Sequence, residues 1–279
     1  MATCETTMKS GRIVFLRLAR PVDSGFTLIE LLAVIAIMGI LLALLVPALA
    51  VAKGKVAAVV CTTNLRQFGL AFHLYSGDNQ DAILPNKDGQ NVRVPETWVE
   101  GWLGVPGPDC TNVLHLRRSL LARYVPEPRL WRCPASKDPT VGVRMPRVRT
   151  ISLNGFMGGV GADEGGTFYR RLSDITRPSP SEALIFIEER IDTINDGTFA
   201  LQARFDASRP NTWVLRDKPG IDHREGGNIA FADGRAEARH WRDRRTVLAP
   251  RDDAVSPGNA DILWLEEHAT WRPAQPRPE

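Results

Sequence analysis

The run "SGFTLIELLAVIAIMGILLALLVPALA" occupies Ser24 to Ala50 and decides how the rest of the chain is read. From Leu31 to Ala52 no side chain carries a charge. Twenty-two helical residues at about 1.5 Å each reach roughly 33 Å, enough to cross the hydrocarbon core of a bilayer. One acid, Glu30, stands at the head of the run. A carboxylate in lipid costs a few kcal/mol on insertion scales, so it calls for a partner.

Four basic groups (Lys9, Arg12, Arg17, Arg20) and two acids (Glu5, Asp23) precede the run, so only +1 of the formal charge of +3 belongs to the remainder. That is no electrostatic footprint for nucleic acid. The basic flank predicts a cytoplasmic N-terminus and a single-pass segment with the bulk of the chain on the far, periplasmic side of an inner membrane. A secretory signal would share the basic start, and "ALA" at Ala48 to Ala50 imitates its cleavage site. The apolar core, however, exceeds the usual 7–15 residues or so, and Glu30 does not suit it. Cleavage after Gly25 would instead create an α-amino group on Phe26, one helical turn from Glu30 or opposite the Glu30 of a neighbouring chain.

With the basic leader before it and about twenty apolar residues after it, "GFTLIE" (Gly25 to Glu30) resembles the processing motif of type IV pilins and type II secretion pseudopilins. The resemblance implies a prepilin peptidase that cuts after Gly25 and methylates Phe26. It implies a Glu30 that neutralises the N-terminus of a neighbouring subunit, and a helix-distorting Pro47. The implied domains are a leader (1–25), a membrane or filament-core helix (26–52), its soluble half (53–77), a globular head (78–270) and a Pro-rich tail (271–279).

The fold expected is α+β and pilin-like, a long N-terminal helix packed on an antiparallel sheet. Val56, Val59, Val60, Phe68, Ala71, Phe72 and Tyr75 form one apolar stripe at helical spacing, and Gly77 followed by Asp78 marks its stop. "ALIFIEE" (Ala183 to Glu189) reads as a strand. "GNIAFADGRAEARHW" (Gly227 to Trp241) reads as a hairpin on a type I′ turn at Asp233 and Gly234, pairing Phe231 with Ala236 and Ile229 with Ala238. That face is expected on the helix stripe, with His240 on it as a core histidine. "SLNG" reads as a turn in which Asn154 tolerates positive φ, and the tail from Trp271 as disordered.

His223, Asp233 and Gly234 resemble the H-X9-DG pattern of a pilin-like subfamily common in planctomycetes. "CTTNLRQFGLAFHLY", "WRCP", "SLNG" and "RPSPSEALIFIEE" resemble the same group. An extended strand would hold His223 and Asp233 roughly 30 Å apart. Structural roles are therefore expected, Asp233 in the turn and His223 on backbone or a neighbour, with a bend at Gly226 and Gly227 as the one way to bring them closer. His73, His115 and His268 belong to no pattern.

No CxxC pair exists among Cys4, Cys61, Cys110 and Cys133. Cys61 and Cys133 fall at positions that recur in the resembling subfamily, so a bridge between them is one option, beside Cys110 with Cys133 or free buried thiols. No metal ligands and no cofactor are assigned. The resemblance allows a structural calcium, but "GDNQD" (Gly77 to Asp81) and "IDTINDG" (Ile191 to Gly197) read as solvated turns rather than an EF-hand. The expected partners are prepilin peptidase, other pilin or pseudopilin subunits and the inner membrane, with no nucleic acid. The expected role is structural, not enzymatic. The rival is an anchored or exported periplasmic enzyme or ligand-binding domain, which requires a pocket with converging polar groups around His223 or Glu188.

Overall fold

The computed structural model describes residues 26–86, 97–104, 107–136, 147–158, 165–250 and 253–272. The leader, with Gly25 and Cys4, and residues 273–279 of the tail lie outside them. The chain divides into two compact units, Met1–Leu49 and Ala50–Glu279.

Helix α1 (Leu28–Asp78) contributes to both units, carries Pro47 inside it, and ends one residue beyond Gly77. In the first unit its side chains are bare, with Leu28 83% and Leu44 69% exposed. It is long and apolar enough to cross a membrane. In the second unit the buried face of α1 comprises Cys61, Asn64, Leu65, Phe68, Gly69, Ala71, Phe72 and Ser76. The expected stripe therefore begins at Cys61: Val56 and Val59 are exposed.

Beyond α1 come α2 (Val113–Arg118), β1 (Ile151–Asn154), β2 (Leu184–Glu188), β3 (Thr198–Phe199), β4 (Val214–Leu215), β5 (Gly226–Phe231), β6 (Ala236–His240), α3 (Arg244–Val247), β7 (Ala254–Val255) and α4 (Ala260–Ala269). Five strands form one sheet in the order β3-β1-β2-β5-β6, and β4 pairs with β7 separately. The main sheet is mixed rather than antiparallel, because β3 runs parallel to β1 while its other pairs are antiparallel. The sequence reading did not identify α4. Asn259 caps it, accepting from the amides of Asp261 and Ile262.

Two apolar clusters flank the sheet. One joins Leu65, Phe68 and Phe72 of α1 to Phe186, Ala230, Ala232 and Ala236. The other joins Ile187, Ile229 and Phe231 to Ile262 and Leu265 of α4. Consecutive residues of β5 alternate between the clusters because strand side chains point to opposite faces. Phe68 meets Trp131 edge-on at 4.9 Å, and Trp98 stacks on Trp131 at 5.7 Å. Burying each such side chain is worth about 1.5–3 kcal/mol.

The β5–β6 hairpin forms where expected, one residue out of register. Ala230 pairs with Ala236 and Asn228 with Ala238. Gly234 has φ +86 while Asp233 is not in the positive-φ region. A type I′ turn needs both central residues there, so the turn is instead a three-residue loop with a glycine bulge. The Gly234 amide donates to Phe231 O and the Phe231 amide to Arg235 O. The shift turns small side chains, not Phe231 and Ile229, towards α1. His240, at the end of β6 opposite Gly226, lies exposed, bonded through Nδ1 to Arg224 O at 2.7 Å, and is no core histidine.

Asn154 also departs from expectation. It sits at the end of β1, buried, and its amide donates to Leu184 O and Ala269 O at 2.8 Å each. Trp271 and Arg272 are part of the ordered chain: Trp271 O accepts from the Thr167 amide, and Arg272 pairs with Glu266 at 2.8 Å.

Candidate functional site: the N-terminal motif and a buried Cys-Cys-His-Glu cluster

At the start of α1, Thr27 and Glu30 form a reciprocal cap. Glu30 Oε2 accepts from the Thr27 amide at 2.9 Å and from its hydroxyl at 2.7 Å, while the Glu30 amide donates to Thr27 Oγ1 at 3.3 Å. This is a capping box, which satisfies amides that the first helical turn would otherwise leave unpaired. Glu30 thus has a local duty that reading the motif for assembly alone passed over, although T-x-x-E was its sequence signal.

In the second unit, four donor side chains meet: Cys61 from α1, Cys133 just after a short 3-10 turn at Pro128–Trp131, Glu188 at the end of β2, and His223 ahead of β5. One ligating atom from each lies within 4.8 Å of all the others. The thiols stand 2.8 Å apart, and both are free. Cys133 Sγ lies 3.2 Å from His223 Nε2, which lies 3.4 Å from Glu188 Oε2. The side chains of His223 and Glu188 are each only 4% exposed. The same Glu188 oxygen accepts from the backbone amide of Asn228 at 2.9 Å and from its side-chain amide at 2.8 Å. Thr62 donates to the remaining Asn228 oxygen at 2.6 Å, so the carboxylate is held from behind by β5 and α1.

Protons in the cluster are shared unequally. The hydrogen bond to Cys133 and burial push the Cys61 thiol far up. The bond from Cys61 draws Cys133 down against burial, with His223 helping. Burial pulls His223 down, but its hydrogen bonds to Cys133 and Glu188 outweigh that and raise it to about 10. Cys133 is thus the better thiolate, with an imidazolium beside it.

His223 reaches the cluster because the chain turns sharply at Arg224 and Glu225, both in the left-handed region (φ 55 and 62). The bend is there, not at Gly226 and Gly227, which belong to β5. Asp233 stays at the hairpin, where its Oδ1 accepts from the Arg235 amide at 2.9 Å. The neighbours of His223 are thus side chains of Cys133 and Glu188. Cys110 packs elsewhere, with Leu103 and Ile194. The acids of the two oxygen-rich runs have partners: Asp78 binds Arg123 and Tyr124, Asp81 binds Ser173, and Asp192 pairs with Arg190.

Residues 20–46 match the family model described as the prokaryotic N-terminal methylation motif. The match covers "GFTLIE" and most of the apolar run, and it supports a pilin-like, membrane-anchored chain. No curated protein and no solved structure matches the chain.

Proposed function

We propose that the chain is a structural subunit of a type II secretion-like or type IV pilus-like filament, a pseudopilin by preference. One observation carries this reading: the methylation motif at residues 20–46 opens a helix whose apolar side chains are bare along its first unit. Such a surface is stable only in lipid or against other helices. Prepilin peptidase cuts after Gly25 and methylates Phe26, and the new amine meets the Glu30 of a neighbour as helices pack. The N-terminus lies in the cytoplasm and the head, with its H-X9-DG pattern at His223 to Gly234, in the periplasm. The protein has no enzymatic role and no nucleic-acid partner.

The rival reading needs a pocket with converging polar groups around His223 or Glu188, and polar groups do converge there. Support for it is weak, because both side chains are sealed against two cysteines. Mass spectrometry of the N-terminal peptide from native membranes tests the proposal. N-methylated Phe26 is expected; Val51 as first residue, or an intact leader, overturns it.

A further inference from the structure

We propose that Cys61, Cys133, Glu188 and His223 form a closed, four-coordinate structural site for zinc. Three features of the cluster lead there. The first is the donor set. Two sulfurs, one imidazole nitrogen and one carboxylate oxygen are the ligands that a tetrahedral zinc takes, whereas calcium and magnesium take mostly oxygen and more of it. The second is convergence. Bond lengths of about 2.0–2.3 Å to a central zinc set tetrahedral donor separations of roughly 3.3–3.8 Å. The Cys133–His223 and His223–Glu188 separations of 3.2 and 3.4 Å lie close to that range, the two thiols at 2.8 Å would open by about 1 Å to take the ion, and all four donors fall within 4.8 Å of one another.

The third is support behind the ligands. A disulfide between Cys61 and Cys133 would need neither His223 nor Glu188. The structure instead aims the Glu188 carboxylate into the cluster with two bonds from Asn228, which Thr62 orients in turn. Ligating carboxylates are fixed by just such outer partners. Because all four positions are filled by protein and the side chains are buried, the site is structural, with no place for a substrate.

Loading balances in charge. Two thiolates, a neutral imidazole and a carboxylate bring −3 to a zinc of +2, so the loaded cluster carries −1, and any proton still on a ligand leaves to solvent as the ion binds. The ion would join α1 to three segments of the head at one point. The site is independent of whether the chain assembles into filaments.

The test uses the full chain, extracted in detergent under anaerobic conditions without chelator. Elemental analysis is paired with thiol alkylation and intact mass. One zinc per chain with reduced Cys61 and Cys133 is expected. Cobalt exchanged into the site should show sulfur-to-cobalt charge-transfer absorption. Cys133→Ala and His223→Ala should lose zinc, and Asn228→Ala should weaken zinc binding roughly 10–100-fold while leaving the four ligands in place. A Cys61–Cys133 disulfide without zinc overturns the proposal, as do reduced thiols without zinc or a different metal at one per chain. Should Cys133→Ala fail to fold, Asn228→Ala still decides: unchanged zinc affinity in that variant removes Glu188 from the ligand set.

Discussion

Thr62 on α1 and Asn228 on β5 stand 2.6 Å apart, hydroxyl to amide oxygen, and that contact fixes which end of the Asn228 amide faces Glu188. Replacing Thr62 with Val keeps the shape and removes the donor. Losing this neutral bond should cost about 1 kcal/mol in head stability, read as a lower urea midpoint. Asn228→Leu removes the side-chain bond to the Glu188 carboxylate together with the bond from Thr62, leaves the backbone amide bond in place, and should cost more, on the order of 1–3 kcal/mol.

Gly69 of α1 faces Gly234 of the hairpin at close range. A Cβ on Gly69 would lie 3.5 Å from Gly234 Cα, an ordinary contact. Gly69→Ala should therefore be neutral or stabilise the head by up to about 1 kcal/mol through helix propensity. Gly69→Leu should push the hairpin away and cost about 1–3 kcal/mol. At Gly234 an added Cβ would meet only the His73 ring, at an ordinary 3.8 Å, but φ is +86, so Gly234→Ala should lose about 1–2 kcal/mol from backbone strain. Thermal melts of the three variants separate these causes.

Asp217 provides a pH test away from the cysteine cluster. Burial raises its pKa from 3.8 to about 7, against the hydrogen bond from the Ala200 amide, with Asp196 adding to the rise and Lys218 and Arg216 opposing it. Since the folded value exceeds the unfolded one, its contribution is whole below about pH 4 and is lost as pH climbs through 7. The residue keeps part of its surface in solvent, so the loss is on the order of 1–2 kcal/mol. Asp217→Asn should flatten the stability profile between those limits. A profile that falls as steeply in the variant would rule out Asp217 as the source.

The cap made by Glu30 and its proposed assembly role can be taken apart. Thr27→Val abolishes the hydroxyl side of the cap but leaves the carboxylate available to a neighbour, whereas Glu30→Ala removes both. If the assembly role dominates, Thr27→Val should still enter filaments, or cross-link to neighbouring subunits, at a level near wild type. Glu30→Ala should not, while its head stays folded by circular dichroism. Equal loss in both variants would reduce Glu30 to a helix cap.

Much of this molecule can be read from residues close together in the chain. The apolar run, the extent of α1, strand β2 and the hairpin position all follow from periodicity or from turn residues. What fails does so for local reasons in some places and through distant contacts in others. The hairpin register turned on whether Asp233 enters the left-handed region, and the cost of that conformation for a non-glycine residue favoured a bulge at Gly234. The parallel β1–β3 pair has no local signature. Helix α4 was legible, in the Asn259 cap and the spacing of Ile262, Leu265 and Ala269, but was overlooked among Pro- and Gly-rich neighbours. The cysteine cluster could be sensed only in pieces. Its donors sit 72 and 90 positions apart, far from any metal-ligand spacing, so the Cys61–Cys133 pair and the rival pocket at His223 or Glu188 stood as separate readings.

That wide spacing has a temporal side. Cys61 leaves the ribosome early, but His223 follows only after most of the head has been made. Until then α1 has no complete ring of donors to hold. A chain broken anywhere before His223 would carry a finished N-terminal helix and an unfastened head. An ion in the cluster would thus serve as a completion check, clasping α1 only to a head synthesised at least as far as His223.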